Sequence, residues 1–242
     1  MKVVIVMPAY NAAETLAMTF RAIPPGIADE ILLVDDASLD GTVETAKALG
    51  IPIIRHPHNV GYGGNQKTCY MEALRSGADI VVMLHPDGQY DPAILPDMIA
   101  PIRAGQADLV LGSRFLHPGG ALRGGMPLYK YVSNRFLTTT ENLVLGTRLS
   151  EMHTGYRAYS RRFLETVPFL RNSIDFAFDT EILFQAVRHG FRIAEVPVET
   201  KYFPGASSAS LKQSTVYGLK TLRVALQWLL YRWRIAKPGV FR

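Results

Sequence analysis

The stretch "VVMLHPDGQYDP", Val81 to Pro92, decides how the rest of the chain is read. Its apolar start has the composition of a buried strand. The run stops at a proline, an aspartate and a glycine, which cannot continue a strand and mark a turn. Asp87 is therefore left at the carboxyl end of a core strand, with His85 just before it. A lone carboxylate in that place suits a ligand site better than a packing role.

Working outward, the same pattern recurs. "VVIVMP", "EILLVDD", "IPIIRH" and "DLVLGSR" read as further strands. Between them, "AAETLAMTFRAI", the residues after "SLDGT", "NQKTCYMEALRSG" and "DPAILPDMIAPIRAG" read as helices of roughly a dozen residues. Asn11 and Glu14 have the spacing of a capping box for the first helix. Strands alternating with helices predict an α/β fold whose central sheet is mostly parallel and covered on both faces. After Phe115 the pattern loosens into the Gly/Pro loop "LHPGGALRGGMP". A helix is predicted from Leu128 to about Leu145, another over "FDTEILFQAVRHG", and a strand over "FRIAEVPVE".

In parallel sheets, ligands bind at the carboxyl ends of the strands. Those ends carry "PAYN", "DDASLDGT", "HNVGYGGN", "HPDGQ" and "GSRF" in chain order. The first lacks the G-x-G-x-x-G of a dinucleotide-binding turn, and no Walker lysine follows the later glycines, so both of those nucleotide folds are disfavoured. "GYGG" by itself is either a plain turn or a place where backbone approaches a ligand.

Taken together and in order, these segments resemble the inverting family 2 glycosyltransferases of GT-A fold, closest to the dolichyl- or polyprenyl-phosphate sugar synthase branch. "HTGYRAY" and "FDTEILFQAVRHGFRIAEVPVE" extend the likeness, which runs from Lys2 to about Ser210. The resemblance implies a GT-A domain over 1–210, followed by a C-terminal helix and tail over 211–242. It implies a UDP- or GDP-sugar donor, a hexose or N-acetylhexosamine as the group moved, and Mn²⁺ or Mg²⁺ as cofactor. Pro8, Tyr10, Asn11, Asp35, Asp36, Gly64, Lys67, His85 and Asp87 fall where the donor is bound. Asp87 matches the metal-binding aspartate and Gln89 an additional ligand. His85 stands where the family has another aspartate, which removes one negative charge and implies weaker Mg²⁺ binding, a shift toward Mn²⁺ or partial metal independence. Asp40 suits capping rather than binding. The branch carries an arginine in the loop after "EVPV"; here Lys201 is the nearest cation, with Ser207 and Ser208 beyond it.

The acceptor decides whether a base is needed. A hydroxyl holds its proton at neutral pH and needs a positioned carboxylate. A lipid phosphate, with a second pKa of about 6, arrives anionic and needs cations. Arg114, Lys130 and Asn134 match acceptor-phosphate positions of the branch, with Thr154 and Arg157 beside them. Lysine in place of the branch's usual arginine at 130 gives up bidentate binding. Asp179 falls near the base of relatives that glycosylate alcohols. An acid at a helix N-terminus is also favoured by the dipole alone. The catalytic set is then Asp87, Arg114 and Asp179, with a polyprenyl phosphate as the acceptor. The alternatives are a saccharide hydroxyl with Asp179 as base, and a nucleotide-sugar-binding module without catalysis.

The 242 residues are 48% hydrophobic with a net charge of +5, enough for one sizeable core. The single Cys69 excludes an internal disulfide. No signal peptide and no run of about 20 apolar residues is seen, so a cytoplasmic chain, soluble or peripheral on the inner face of the membrane, is expected. No acidic residue follows Glu199, whereas Lys201, Lys212, Lys220, Arg223, Arg232, Arg234, Lys237 and Arg242 do. The positive charge thus belongs to the tail, which argues against nucleic acid as partner. A helix from Leu211 to about Ile235 carries a polar stripe of Lys212, Lys220, Arg223, Gln227 and Arg234. Leucines, Trp228 and Trp233 cover the rest. That width predicts a helix lying on an anionic membrane or pairing two subunits.

Overall fold

A computed structural model describes residues 1–202 and 211–241, apart from the side chains of 211 and 212. Ser207 and Ser208 lie outside the described residues, as does the side chain of Lys212. The chain runs β1 (Val3–Ala9), α1 (Ala13–Arg21), β2 (Glu30–Asp35), α2 (Thr42–Ala48), β3 (Ile53–Arg55) and α3 (Tyr62–Arg75). It continues through β4 (Ile80–Met83), α4 (Leu95–Arg103), β5 (Leu109–Ser113), α5 (Gly120–Arg123), α6 (Leu128–Leu145) and β6 (Arg157–Ser160). Then follow α7 (Arg161–Thr166), α8 (Ala177–Arg188), β7 (Ile193–Pro197) and α9 (Leu211–Arg232).

Among the described residues the strands form one seven-stranded sheet, ordered β3-β2-β1-β4-β6-β5-β7. Its pairings are parallel except at β6, which runs antiparallel to both β4 and β5. The strands the apolar runs predict are all present. β6 was not predicted as a strand: its sequence, "RAYS", has no apolar run and is recruited between two strong neighbours.

The pleat sorts the core. Val3, Ile5 and Met7 of β1 face a cluster closed by Leu16 of α1, Ala46 of α2 and Met98 and Ile99 of α4. Val4 and Val6 face the opposite cluster, closed by Cys69 and Tyr70 of α3, Phe163 of α7 and Phe178 and Phe184 of α8. Phe163, Phe178 and Phe184 are fully buried, each worth about 1.5–3 kcal/mol relative to exposure.

Two local expectations are corrected. No side chain caps α1, and Asn11 takes a left-handed φ of 52°. Its Oδ1 instead accepts from the Leu39 N–H at 2.9 Å. The free N–H groups at the start of α1 are met from the β2–α2 turn, by Thr42 Oγ1 for Ala12 (2.8 Å) and Asp40 Oδ2 for Ala13 (3.1 Å). Asp40 also accepts from the Thr42 N–H at 3.0 Å, so it serves two helix starts. Second, α3 begins at Tyr62 rather than Asn65. The glycines of "GYGG" make room for protein. Gly61 has a φ of 85°, and a Cβ on Gly63 would meet the Ser173 carbonyl, with Phe178 Cβ at 2.9 Å and the Asp175 carbonyl at 3.0 Å.

Candidate active site

The carboxyl ends of β1, β4 and β5 open into one cleft of about 860 Å³. It is lined at one end by Pro8, Tyr10, Asn11 and Asp36, in the middle by His85, Asp87 and Gln89, and at the other end by Arg114, Lys130, Asn134, His153 and Asp179. Tyr62, Tyr90, Tyr202 and Tyr217 complete the walls.

The β4 end is built as a tight turn. Asp87 Oδ1 accepts from the Gln89 N–H at 3.0 Å across Gly88, whose φ is 70°. Thr15 of α1 donates to the Pro86 carbonyl at 2.6 Å. On the far side, the Lys201 N–H donates to the Gln89 carbonyl at 3.0 Å, and Tyr90 forms an antiparallel bridge with Thr200. Two separate elements therefore hold the turn that carries Asp87. Burial pushes the Asp87 carboxyl up from its ordinary range, against the pull of His85 and of the Gln89 N–H. Its Oδ2 has no hydrogen bond to a described residue, and the side chain is half-buried.

His85 stacks on Tyr62, with ring centroids 5.6 Å apart. The Tyr62 hydroxyl donates to Asp179 Oδ2 at 2.7 Å and lies 3.5 Å from His85 Nε2. Asp179 Oδ1 accepts from Gln66 at 3.3 Å and sits 3.6 Å from Arg157 Nη1. Both oxygens of the candidate base are thus engaged. Burial, then the charge of Asp179, holds the Tyr62 hydroxyl well above its ordinary pKa, so Tyr62 remains a donor.

Arg114 is buried and meets a carboxylate of the protein itself. Its backbone N–H and Nε donate to Glu151 at 2.7 and 2.8 Å, its Nη2 pairs with the same carboxylate, and Nη1 reaches the Tyr202 hydroxyl at 2.8 Å. Asn134 donates to Glu151 at 3.0 Å. The guanidinium is therefore neutralised locally, and its fork is filled. Lys130 lies nearby in the cleft, and burial together with the Arg114 charge lowers its pKa.

Several predicted residues lie outside the cleft lining. Asp35 is fully buried; its Oδ2 meets the Ser38 N–H at 3.2 Å and Arg55 at 3.4 Å, while Oδ1 is unpartnered. Asp36 does line the cleft, yet its oxygens accept from the Val60 and Gly61 N–H groups (2.9 and 3.1 Å), and His56 lies 2.9 Å away. Gly64 packs inward against Val60. Lys67 turns away to the Asn172 carbonyl. The Thr154 hydroxyl pairs with Tyr90 at 3.3 Å. Arg157 is buried and donates to the carbonyls of Thr154, Asp179 and Met152 at 2.8, 2.9 and 3.1 Å. Lys201 contributes its backbone, as above. Sequence reasoning missed Tyr62, hidden inside a glycine motif, and Tyr217, hidden in an amphipathic helix.

The sequence model for glycosyl transferase family 2 matches residues 4–167. The chain belongs to that family. An undecaprenyl-phosphate mannosyltransferase of Micrococcus luteus is 30% identical over 234 residues, covering 90% of this chain and 95% of the relative. A polyprenol monophosphomannose synthase of Mycolicibacterium smegmatis is 29% identical, covering 81% and 76%. Among solved structures, glucosyl-3-phosphoglycerate synthase from Mycobacterium tuberculosis superposes with a TM-score of 0.73 at 20% identity, over 94% of this chain and 79% of that one. The same enzyme has been solved with Mn²⁺, UDP and glucosyl-3-phosphoglycerate. The fold is GT-A, and the chain is a family 2 glycosyltransferase of the polyprenyl-phosphate sugar synthase branch.

A divalent cation fits this family 2 cleft in a particular way. No group of three or more His, Cys, Asp or Glu side chains able to hold a metal occurs among the described residues. Asp87, with one oxygen unengaged, would be the anchor for such a cation, with His85 and Gln89 beside it in the cleft. A hard cation held by one carboxylate takes its remaining ligands from phosphates and water, which suits a site loaded together with a nucleoside diphosphate.

Proposed function

We propose that the enzyme transfers a hexose or N-acetylhexosamine from a UDP- or GDP-sugar to a polyprenyl phosphate, inverting the anomeric carbon. The observation that carries this choice of acceptor is the engagement of Asp179. A base for a hydroxyl acceptor needs an oxygen available to the incoming proton. Asp179 spends both of its oxygens on Tyr62, Gln66 and Arg157. A phosphate acceptor needs no proton removed, and Lys130 lies in the same cleft as Arg114. The relatives' names, an undecaprenyl-phosphate mannosyltransferase and a polyprenol monophosphomannose synthase, agree with this reading.

The nucleotide is assigned to the end lined by Pro8, Tyr10, Asn11 and Asp36. Asp87, flanked by His85 and Gln89, would hold Mn²⁺ or Mg²⁺; such a cation offsets the charge growing on the departing diphosphate, an effect worth several kcal/mol. The acceptor oxygen attacks the anomeric carbon from the opposite side, and the bond to the diphosphate breaks with its electron pair. Tyr62, stacked on His85 and donating to Asp179, links the metal position to the acceptor end. Tyr90 and Thr200 keep the β4 turn in place while this occurs.

Attachment to a membrane surface belongs to the same reading. α6 and α9 pack on each other. Leu128, Val132 and Phe136 of α6 and Val216, Leu219 and Leu226 of α9 are exposed, with Arg223 and Arg232 beside them. No helix among the described residues is long and apolar enough to cross a membrane, so the lipid is met at the interface.

The test is release of UDP or GDP from a panel of nucleotide sugars, with a short-chain prenyl phosphate as acceptor. Asp179→Asn is expected to keep turnover within about tenfold, because no base is needed. Loss of turnover in Asp179→Asn, with saccharide acceptors used by the native enzyme, would favour the hydroxyl reading instead.

A further inference from the structure

The acceptor end of the cleft contains a buried cluster that the reaction described above does not use. Glu141 of α6 is completely buried, and its Oε2 lies 2.9 Å from Nε2 of His153. The approach is at ion-pair distance but out of hydrogen-bond alignment, and neither Glu141 oxygen has another hydrogen-bond partner among the described residues. The other ring nitrogen, Nδ1, is 2.6 Å from the hydroxyl of Tyr217 on α9. That hydroxyl also lies 3.5 Å from Thr180 Oγ1. His153 and Tyr217 both line the cleft, and Glu141 stands behind them.

The chemistry of the imidazole ties these groups together. A bare Nε2 facing a carboxylate would set two lone pairs against each other, so Nε2 carries hydrogen. With His153 neutral, Nδ1 is an acceptor and takes the Tyr217 proton. Tyr217 then offers the cleft only lone pairs, which repel an anion. With His153 protonated, Nδ1 donates to the phenolic oxygen instead. The Tyr217 proton is then released to point into the cleft, where a phosphate accepts it.

We propose that Glu141, His153 and Tyr217 form a proton-linked relay that sets whether Tyr217 offers the acceptor phosphate a proton or a lone pair. Binding the phosphate then takes up a proton at His153. The inference rests on the phosphate-acceptor reading given above. Tyr217 is a binding residue in it; His153 and Glu141 are positioning residues that act through it. Other ionisable groups face the relay. Arg114 Nη2 donates to the His153 carbonyl at 3.1 Å, the charges of Asp179 and Arg157 act on the Tyr217 phenol, and Lys130 shares the cleft.

The experiment is the KM for a short-chain prenyl phosphate between about pH 5.5 and 9, at saturating nucleotide sugar, spanning the histidine range. The acceptor's own second ionisation, near pH 6, produces an acid limb in every variant. The relay adds an alkaline limb, in which KM rises about tenfold in total, the worth of one charge-assisted hydrogen bond. Tyr217→Phe is expected to lose that limb and to show the weaker acceptor affinity at all pH values. Glu141→Gln, which replaces the carboxylate 2.9 Å from His153 Nε2, is expected to displace the limb along the pH axis, which a merely structural role would not do. An alkaline limb that persists in Tyr217→Phe would belong to Lys130 and would overturn the relay, as would native enzyme without such a limb. Native enzyme that turns over no prenyl phosphate at any pH would overturn the acceptor reading and the relay with it.

Discussion

Asp87 sets function against stability at a single position. Burial raises its pKa, so the native state binds that proton more tightly than the unfolded chain does. Stability therefore falls as pH rises from the unfolded value of 3.8 through the native one, and the cost is complete above it. Asp87→Asn is predicted to raise the melting temperature at pH 7 in metal-free buffer, with no gain below pH 3.8. The same variant should lose about 10²-fold or more in turnover, the kinetic equivalent of several kcal/mol. Thermal unfolding at the two pH values, beside a rate assay, checks both halves. Arg114 is the contrary case. Sequence reasoning assigns it to the acceptor, yet the structure pairs it with Glu151 deep in the wall. Arg114→Ala should cost about 3–5 kcal/mol in denaturant unfolding, because a buried carboxylate loses its counter-ion.

At the level of elements, the apolar strands and the turns that end them were legible because each strand is a continuous hydrophobic run stopped by Pro, Gly, Asp or Asn. β6 was not, because "RAYS" gains its strand conformation from β4 and β5 on either side rather than from its own residues. The Asn11–Glu14 capping box failed for a related reason. The donors at the start of α1 are met by Asp40 and Thr42, remote in sequence, and a local motif cannot announce them. The glycine motif after β3, which by sequence is either a plain turn or a ligand approach, is the seat of α3 against the turn before α8. Gly63→Ala is accordingly predicted to destabilise the fold by about 1–3 kcal/mol through overpacking. Nucleotide affinity, measured by calorimetry on the folded fraction, should be unchanged within about threefold, as for a packing change away from the ligand.

Across the whole molecule, the candidate site was legible at the end of β4 and along α6, and obscure where the tertiary fold assigns partners. Asp87, His85, Lys130 and Asn134 line one cleft, as their positions predict. Lys67 and Arg157 do not, because carbonyls of the Asn172 loop and of residues 152, 154 and 179 occupy them. Periodicity likewise showed that α9 is amphipathic without showing which side is buried. Trp228 turns into the core against Phe184 and Phe241, while Trp233, Leu219 and Leu226 stay outside. The double variant Leu219→Glu, Leu226→Glu should lose binding to anionic vesicles in a flotation assay while keeping the fold. Binding retained in that variant would move the contact elsewhere.

The account as a whole turns on a cation shared between Asp87 and a nucleoside diphosphate. Anomalous diffraction from a crystal soaked with Mn²⁺ and UDP or GDP reads that directly. The predicted result is a manganese peak within coordination distance of Asp87, bridged to the two phosphates, with the base toward Pro8, Tyr10 and Asp36. A nucleotide bound in the cleft with no metal at Asp87, or a manganese peak away from it, would contradict the account.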